Sequence, residues 1–137
     1  MWERQKSELV RASMTKGVLS IEKDKTVLDA AKLMAELNIG SLLVTEKDKA
    51  IGIITERDIL SKVTAKELNP EALSVTEIMS SPILRVEADK TVSEALTVMG
   101  ERGIKHLVVV DEGEVVGMFS LHNLIDLERY RLGVLRK

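Results

Sequence analysis

The sequence contains no cysteine, and this absence excludes several kinds of chemistry at once. A chain of 137 residues without cysteine has no disulfide framework, no thiolate nucleophile and no cysteine-ligated metal. Its two histidines lack the H-x-x-x-H spacing of a helical zinc site, so we expect no metal centre. No nucleophile–base pair stands at a plausible spacing either. The sequence therefore predicts that the protein is not an enzyme and has no catalytic residues.

Aromatic residues are also scarce, because only Trp2, Phe119 and Tyr130 are present. Single-stranded nucleic acids stack their bases on aromatic side chains, and a net charge of −2 with interspersed signs offers no basic stripe. These features argue against a nucleic-acid partner. No apolar run approaches the ~20 residues of a membrane span, and the charged N-terminus lacks a signal-sequence core. We therefore expect no membrane partner and a cytoplasmic location.

The chain does contain an internal repeat with an offset of 65 residues. Residues 14–60 align with residues 79–125 without a gap. Each repeat is too small to bury a core alone, so we expect the two to pack together about a pseudo-two-fold axis. Identical positions run through strands, caps and turns, and they include Met14, Glu22, Asp24, Lys25, Thr26, Val27, Ala30, Met34, Glu36, Ile39, Leu42, Val44 and Gly52.

Each repeat has the element order β-α-β-β-α, which predicts an α/β fold of the α+β type. Thr26 and Asp29 have the spacing of a capping box, and apolar residues follow at helical spacing as far as Asn38. Thr91 and Glu94 repeat this start in the second copy, and each helix is followed by two apolar strands around a charged turn. The predicted boundaries are an N-terminal helix at 1–13, repeats at 14–63 and 75–127, a linker at 64–74 and a charged tail at 128–137.

Each repeat ends with a strand that is followed directly by a helix. In the first repeat this strand–helix turn spans residues 52–58, Gly-Ile-Ile-Thr-Glu-Arg-Asp. Thr55 and Asp58 have the spacing of an N-cap and N3 pair. The Asp58 carboxylate can accept hydrogen bonds from a vicinal diol, and a helix N-terminus suits phosphate. We expect Gly52 to leave room for a flat ring close to the backbone. A helix cap without any ligand is the plain alternative.

The second copy of this turn spans residues 117–123, Gly-Met-Phe-Ser-Leu-His-Asn. Asn123 stands where the first copy has Asp58. An amide keeps the cap but gives up the charge and half of the acceptor capacity. We therefore expect the two copies to differ in the ligand that they bind.

These residues resemble a known family. The tandem repeat, the capped helix with Ala30 and Met34, the segment Gly-Ile-Lys-His-Leu-Val-Val-Val-Asp at 103–111 and the closing Gly-x-x-Thr-x-x-Asp at 52–58 are similar to a CBS domain pair, or Bateman module. The resemblance covers residues 10–127. It implies a stand-alone CBS-pair protein in which two CBS repeats pack into one module, with two clefts between the repeats.

The resemblance implies a non-catalytic regulatory sensor that binds AMP, ADP or ATP and requires no cofactor. It also implies a homodimer formed through the helices, and a regulated partner protein that the sequence does not identify. Three alternatives stay open: a structural or interaction module with vestigial clefts, a binder of S-adenosylmethionine, and a nucleic-acid binder.

The resemblance also assigns residues to the two clefts. In the main cleft Asp58 would hold the ribose, with Thr55 near ribose or phosphate; a satisfied strand-end residue is the alternative for His106. A second and weaker cleft lacks basic residues, and we expect it to be empty or to prefer an uncharged nucleoside. The main set is Ile53, Thr55, Arg57, Asp58, Ile83, Leu84, Lys105, His106 and His122, and the second set is Thr15, Val18, Leu19, Gly40, Ser41, Met118, Ser120 and Asn123.

Overall fold

A computed structural model describes residues 7–121 and 123 of the chain. These residues form two compact units. The first unit holds residues 19–83, and the second unit holds residues 7–18 together with 84–121 and 123. The segment 7–18, which includes the first five residues of the predicted first repeat, is therefore part of the same unit as most of the second repeat.

The first repeat follows the predicted order β-α-β-β-α, the second follows it as far as its last strand, and the helix predicted to close the second repeat lies largely outside the described residues. The helices are α1 (Val10–Ser13), α2 (Val27–Leu37), α3 (Glu56–Ile59), which continues as a π-helical turn at Leu60–Thr64, and α4 (Val92–Arg102), with 3₁₀ turns at Pro70–Ala72 and Val75–Glu77. The strands are β1 (Thr15–Lys16), β2 (Ser20–Glu22), β3 (Ser41–Glu46), β4 (Lys49–Thr55), β5 (Arg85–Glu87), β6 (His106–Asp111) and β7 (Glu114–Ser120).

Each unit contains one mixed sheet, so the predicted α/β fold class is confirmed. In the first unit the strand order is β2-β3-β4, and in the second it is β1-β7-β6-β5. Both sheets combine one parallel pair, joined through a helix, with an antiparallel hairpin. The core of each unit lies between its sheet and its long helix, where Ala30 and Met34 of α2 and Ala95 and Met99 of α4 are buried.

The two long helices begin and end as their sequences predict. At the start of α2, Thr26 Oγ1 accepts the Asp29 N–H at 3.0 Å, and Asp29 Oδ2 accepts the Thr26 N–H at 3.1 Å. Thr91 and Glu94 form the same reciprocal box at the start of α4. The bond from the backbone N–H of Thr26 lowers the pKa of Asp29, and the bond from Thr91 lowers the pKa of Glu94 in the same way.

The N-terminal helix is shorter than predicted within the described part of the chain. Only Val10–Ser13 is helical there. The residues just before it pair with the start of α4 instead, because Leu9 bridges Thr91 and the Glu8 carbonyl accepts the Val92 N–H at 2.8 Å. Local propensity favours a longer helix, but these long-range backbone bonds hold Leu9 extended.

Candidate functional site

The candidate site of the first unit lies where β4 ends and α3 begins. Thr55 Oγ1 accepts the Asp58 N–H at 3.1 Å, and Asp58 Oδ2 accepts both the Thr55 N–H at 2.9 Å and the Thr55 hydroxyl at 3.0 Å. Asp58 is only 8% exposed. The predicted capping box is therefore present, and it holds a buried carboxylate in one orientation.

The other carboxylate oxygen of Asp58 has a partner that sequence reasoning missed. Lys62 Nζ lies 3.1 Å from Asp58 Oδ1 and donates a second hydrogen bond of 3.0 Å to the carbonyl of Ile78. Buried charges in proteins are usually paired, so an opposite charge was to be expected near Asp58. The available signal was the spacing, because residues four apart on a helix are neighbours.

Gly52 has a different role from the one predicted. A Cβ at this position would overlap Met79 Sδ and come within 2.9 Å of the Ser80 carbonyl oxygen. Ser80 and Ile53 exchange backbone hydrogen bonds of 2.8 and 3.0 Å just beyond it. The missing side chain thus makes room for the segment around Ser80, which lies against β4, and the expectation of a flat ring at this place was wrong.

Several further predicted site residues lie in the first unit. Ser41 is paired with Thr55 across β3 and β4, and the Gly40 carbonyl accepts the Glu56 N–H at 3.0 Å. The start of β3 therefore lies next to the capping box of the same unit. The first unit contains Ile53, Thr55, Arg57, Asp58 and Ile83 from the main set, and Leu19, Gly40 and Ser41 from the second set.

The corresponding turn of the second unit is held by neutral groups. Asn123 Oδ1 accepts the Ser120 N–H at 2.9 Å and the Ser120 hydroxyl at 3.2 Å. Asn123 Nδ2 donates a hydrogen bond of 2.8 Å to Thr15 Oγ1, and Thr15 is paired with Met118 across β1 and β7. The amide oxygen thus accepts the Ser120 N–H as Asp58 accepts the Thr55 N–H in the first unit, and the amide nitrogen fastens the N-terminal segment.

The remaining predicted residues are distributed as follows. His106 is paired with Ser120 across β6 and β7, Lys105 is exposed, and the Leu84 carbonyl accepts the Val108 N–H at 2.9 Å. These residues and the half-buried Val18 belong to the second unit, whereas His122 lies outside the described residues. Each predicted cleft therefore draws residues from both units, and the two assignments stay predictions.

The two turns can do different chemistry. The first offers a fixed carboxylate that accepts hydrogen bonds and an adjacent ammonium group, whereas the second offers an amide and hydroxyl groups. Within residues 7–121 and 123, no cluster of three or more His, Asp or Glu residues is arranged to hold a metal ion. A groove of about 480 Å³ between β5 and α4, lined among others by Arg85, Lys90 and Val98, contains none of the predicted site residues.

Comparison with known proteins decides the family. A profile of the CBS domain matches residues 7–65 and 75–130, and so covers most of the chain in two copies. The chain belongs to the CBS domain family. The predicted tandem CBS pair is thereby confirmed, and CBS pairs are in general regulatory modules.

Individual proteins are also similar to this chain. An uncharacterized protein of Methanopyrus kandleri is 36% identical over 124 residues, which are 89% of this chain and 63% of that protein. The crystal structure of an uncharacterized conserved protein from Pyrococcus horikoshii is similar with a TM-score of 0.79 at 30% identity, covering 90% of this chain and 94% of the other. A hexameric CBS-CP12 protein from bloom-forming cyanobacteria has a TM-score of 0.80 at 28% identity, covering 93% and 76%.

The chain spans less than two thirds of the curated Methanopyrus relative. That protein therefore contains sequence for which this CBS pair has no counterpart. No helix within the described ranges of this chain is long and apolar enough to span a bilayer.

Proposed function

We propose that this CBS pair is a non-catalytic sensor that binds an adenine nucleotide of the AMP, ADP or ATP class with Asp58 as its ribose-binding residue. The observation that carries the proposal is the state of that carboxylate. Asp58 is buried, and its orientation is fixed by two bonds from Thr55 to a single oxygen. Its second oxygen, Oδ1, faces the partly exposed Lys62 and retains acceptor capacity for a ribose hydroxyl.

The second turn is expected to bind the same nucleotide more weakly. A neutral amide accepts a weaker hydrogen bond than a carboxylate does, and one of the two Asn123 N–H donors is already directed at Thr15. We therefore propose one nucleotide per chain. Any ligand at the second turn would be an uncharged nucleoside.

Nucleotide binding at Asp58 would be signalled to a partner protein through the segment that follows the first repeat. Lys62 connects Asp58 with Ile78, and two residues later Ser80 is bonded to β4. A ribose that bonds to Asp58 changes the surroundings of Lys62 and so the free energy of this segment. In a sensor of this kind, ligand binding shifts a population by the difference in affinity between two states.

The test is isothermal titration of the protein with AMP, ADP, ATP and S-adenosylmethionine. We expect one adenine nucleotide to bind at about one per chain, and Asp58→Ala to weaken it roughly ten- to a hundredfold, because a charge-assisted hydrogen bond contributes about 1.5–3 kcal/mol.

The matched control is Asp29→Ala. Asp29 completes a capping box of the same kind in the same unit, so this variant removes an equivalent cap without touching the candidate site. It should leave the affinity unchanged. If no adenine ligand binds the wild type at millimolar concentration, or if both variants lose affinity equally, the sensor proposal fails and Asp58 is a helix cap.

A second candidate function is an assembly module, and one observation favours it. Leu37, Leu60 and Leu68 of the first unit are 43%, 61% and 47% exposed. We propose that a second copy covers these leucines in a homodimer; among the relatives, the cyanobacterial CBS-CP12 protein is hexameric. Sedimentation of the wild type and of Leu60→Lys tests this. A wild type that stays monomeric with and without nucleotide contradicts it.

A further inference from the structure

The ion pair between Lys62 and Asp58 joins a partly exposed ammonium group to a buried carboxylate. The Asp58 side chain is 11% exposed, whereas the Lys62 side chain is 43% exposed, and their charged atoms lie 3.1 Å apart. Lys62 thus reaches inward from the surface to neutralise a buried carboxylate. An ammonium group has three donors. Asp58 and the Ile78 carbonyl take two of them, which leaves a third for another anion.

The internal repeat supports a joint role for these two charges. The residues 65 positions after Asp58 and Lys62 are Asn123 and Leu127, so both members of the pair are replaced by neutral residues. A carboxylate that served only as a cap could be exchanged for an amide without any change four residues later. The paired replacement indicates that Lys62 is present because Asp58 is charged.

An isolated carboxylate at the candidate site would oppose the binding of a phosphorylated ligand. The Coulomb energy between two like charges falls with distance, but it is still considerable over several ångströms where protein limits the access of water. Lys62 removes this repulsion by making the local charge zero. A neutral nucleoside gains little from that compensation, because it carries no charge for Asp58 to repel.

Building on the proposed function, we propose that Lys62 is the specificity-determining residue that makes the Asp58 site accept phosphorylated nucleosides in addition to neutral ones. Its ammonium group compensates the carboxylate and offers a donor to the phosphate. The fixed position of Asp58, in contrast, depends mainly on Thr55, which bonds the other carboxylate oxygen.

The experiment compares the affinities of adenosine, AMP and ATP for the wild type, Lys62→Met, Lys62→Gln and Lys62→Arg by isothermal titration. Met removes the charge and the donors, whereas Gln removes the charge and keeps a donor. We expect Met and Gln to weaken AMP and ATP about tenfold while adenosine changes less than about twofold, and we expect Arg to restore AMP. Unchanged adenosine binding also demonstrates that the variants fold.

The matched control is Lys66→Met, which changes the net charge by the same amount at an exposed position of the same unit. It should leave all three affinities within about twofold, because solvent and salt screen an exposed charge. Equal losses for adenosine and AMP in Lys62→Met and Lys62→Gln, or no loss of AMP, would overturn the assignment of Lys62. A wild type that binds none of the three ligands would overturn the proposed function itself, and this outcome is visible before any substitution is made.

Discussion

Asn123 donates a hydrogen bond of 2.8 Å from Nδ2 to Thr15 Oγ1, although the two residues are 108 positions apart in the sequence. The bond fastens the N-terminal segment to the turn that closes the second repeat. The first unit places a segment against the same part of its sheet, but there the contact comes from Ser80, which pairs with the much nearer Ile53 of β4. In the second unit this part of the sheet is thus covered by a segment that is distant in the sequence, whereas in the first unit the corresponding segment is near in the sequence.

Replacing Thr15 should therefore loosen the N-terminal segment. Thr15→Val removes the acceptor of the Asn123 amide, and we expect the free energy of unfolding to fall by about 0.5–1.5 kcal/mol. Thr15→Ser keeps the hydroxyl and should stay near the wild type. Urea unfolding followed by circular dichroism measures both, and a Thr15→Val midpoint equal to that of the wild type would mean that the bond contributes nothing.

A methyl group at Gly52 should be costly. Gly52→Ala would place a Cβ 2.9 Å from the Ser80 carbonyl oxygen, a backbone atom that moves only if the segment moves. Overpacking of this kind costs about 1–3 kcal/mol. Gly100→Ala is the matched control, because that glycine lies inside α4 with no atom within 4 Å of the new Cβ.

Gly100→Ala should raise the stability by up to about 1 kcal/mol, since alanine is the better helix former. Thermal unfolding of the two variants measures both the expected loss of stability in Gly52→Ala and the expected gain in Gly100→Ala. If Gly52→Ala melts at or above the wild-type temperature, then Ser80 does not lie against β4 as described.

The buried hydroxyl of Ser13 should be dispensable. Ser13 is 9% exposed, and its Oγ has no hydrogen-bond partner in the described part of the chain. A buried polar group without a partner costs about 1–3 kcal/mol. Ser13→Ala should therefore raise the free energy of unfolding by about 1 kcal/mol.

The repeat offers the reciprocal substitution. Ile78 stands 65 positions after Ser13 and is buried at 4% exposure. Ile78→Ser should destabilise by several kcal/mol, because it removes buried apolar surface and adds a hydroxyl. A loss of stability in Ser13→Ala would instead reveal a partner for the Ser13 hydroxyl.

The capping carboxylates should make part of the stability depend on pH. The pKa of Asp29 lies below its ordinary value of 3.8, and that of Glu94 below 4.5, each because of the backbone N–H that it accepts. A carboxyl group whose folded pKa is depressed contributes its stability fully above the unfolded pKa. This contribution is lost as the pH falls through the folded pKa.

The double variant Asp29→Asn, Glu94→Gln should therefore lose less stability than the wild type when the pH is lowered from about 6 to about 2. Glu36→Gln, on the exposed face of α2, is the control for a simple loss of charge. Urea midpoints across this range provide the comparison. Parallel curves for the wild type and the double variant would contradict a role of the caps in acid unfolding.

Local sequence rules predicted much of the fold. The capping boxes at Thr26 and Thr91 depend on residues three apart, and the hairpin turn at Lys47 and Asp48 depends on two neighbouring residues with positive φ. Such features need no knowledge of distant parts of the chain. The 65-residue repeat extended them to both halves, because each local rule appeared twice in the same register.

Contacts between distant segments could not be predicted in the same way. The position of Ser80 beside Gly52 and that of Thr15 beside Asn123 result from which segment completes which sheet, and local propensity carries no information on that choice. Lys62 was missed for another reason. A lysine four residues after an aspartate is common on exposed helices, and only the burial of Asp58 makes this one notable.

The most direct test of the central claim is an amide NMR titration of the protein with ATP. If the nucleotide binds at Asp58, the largest shifts will occur at the amides of Thr55 to Asp58 and at Ser80, while Ser120 and Asn123 change little. Shifts confined to the groove between β5 and α4, or no saturable shifts at millimolar ATP, would contradict the account and leave the Thr55–Asp58 pair as a helix cap.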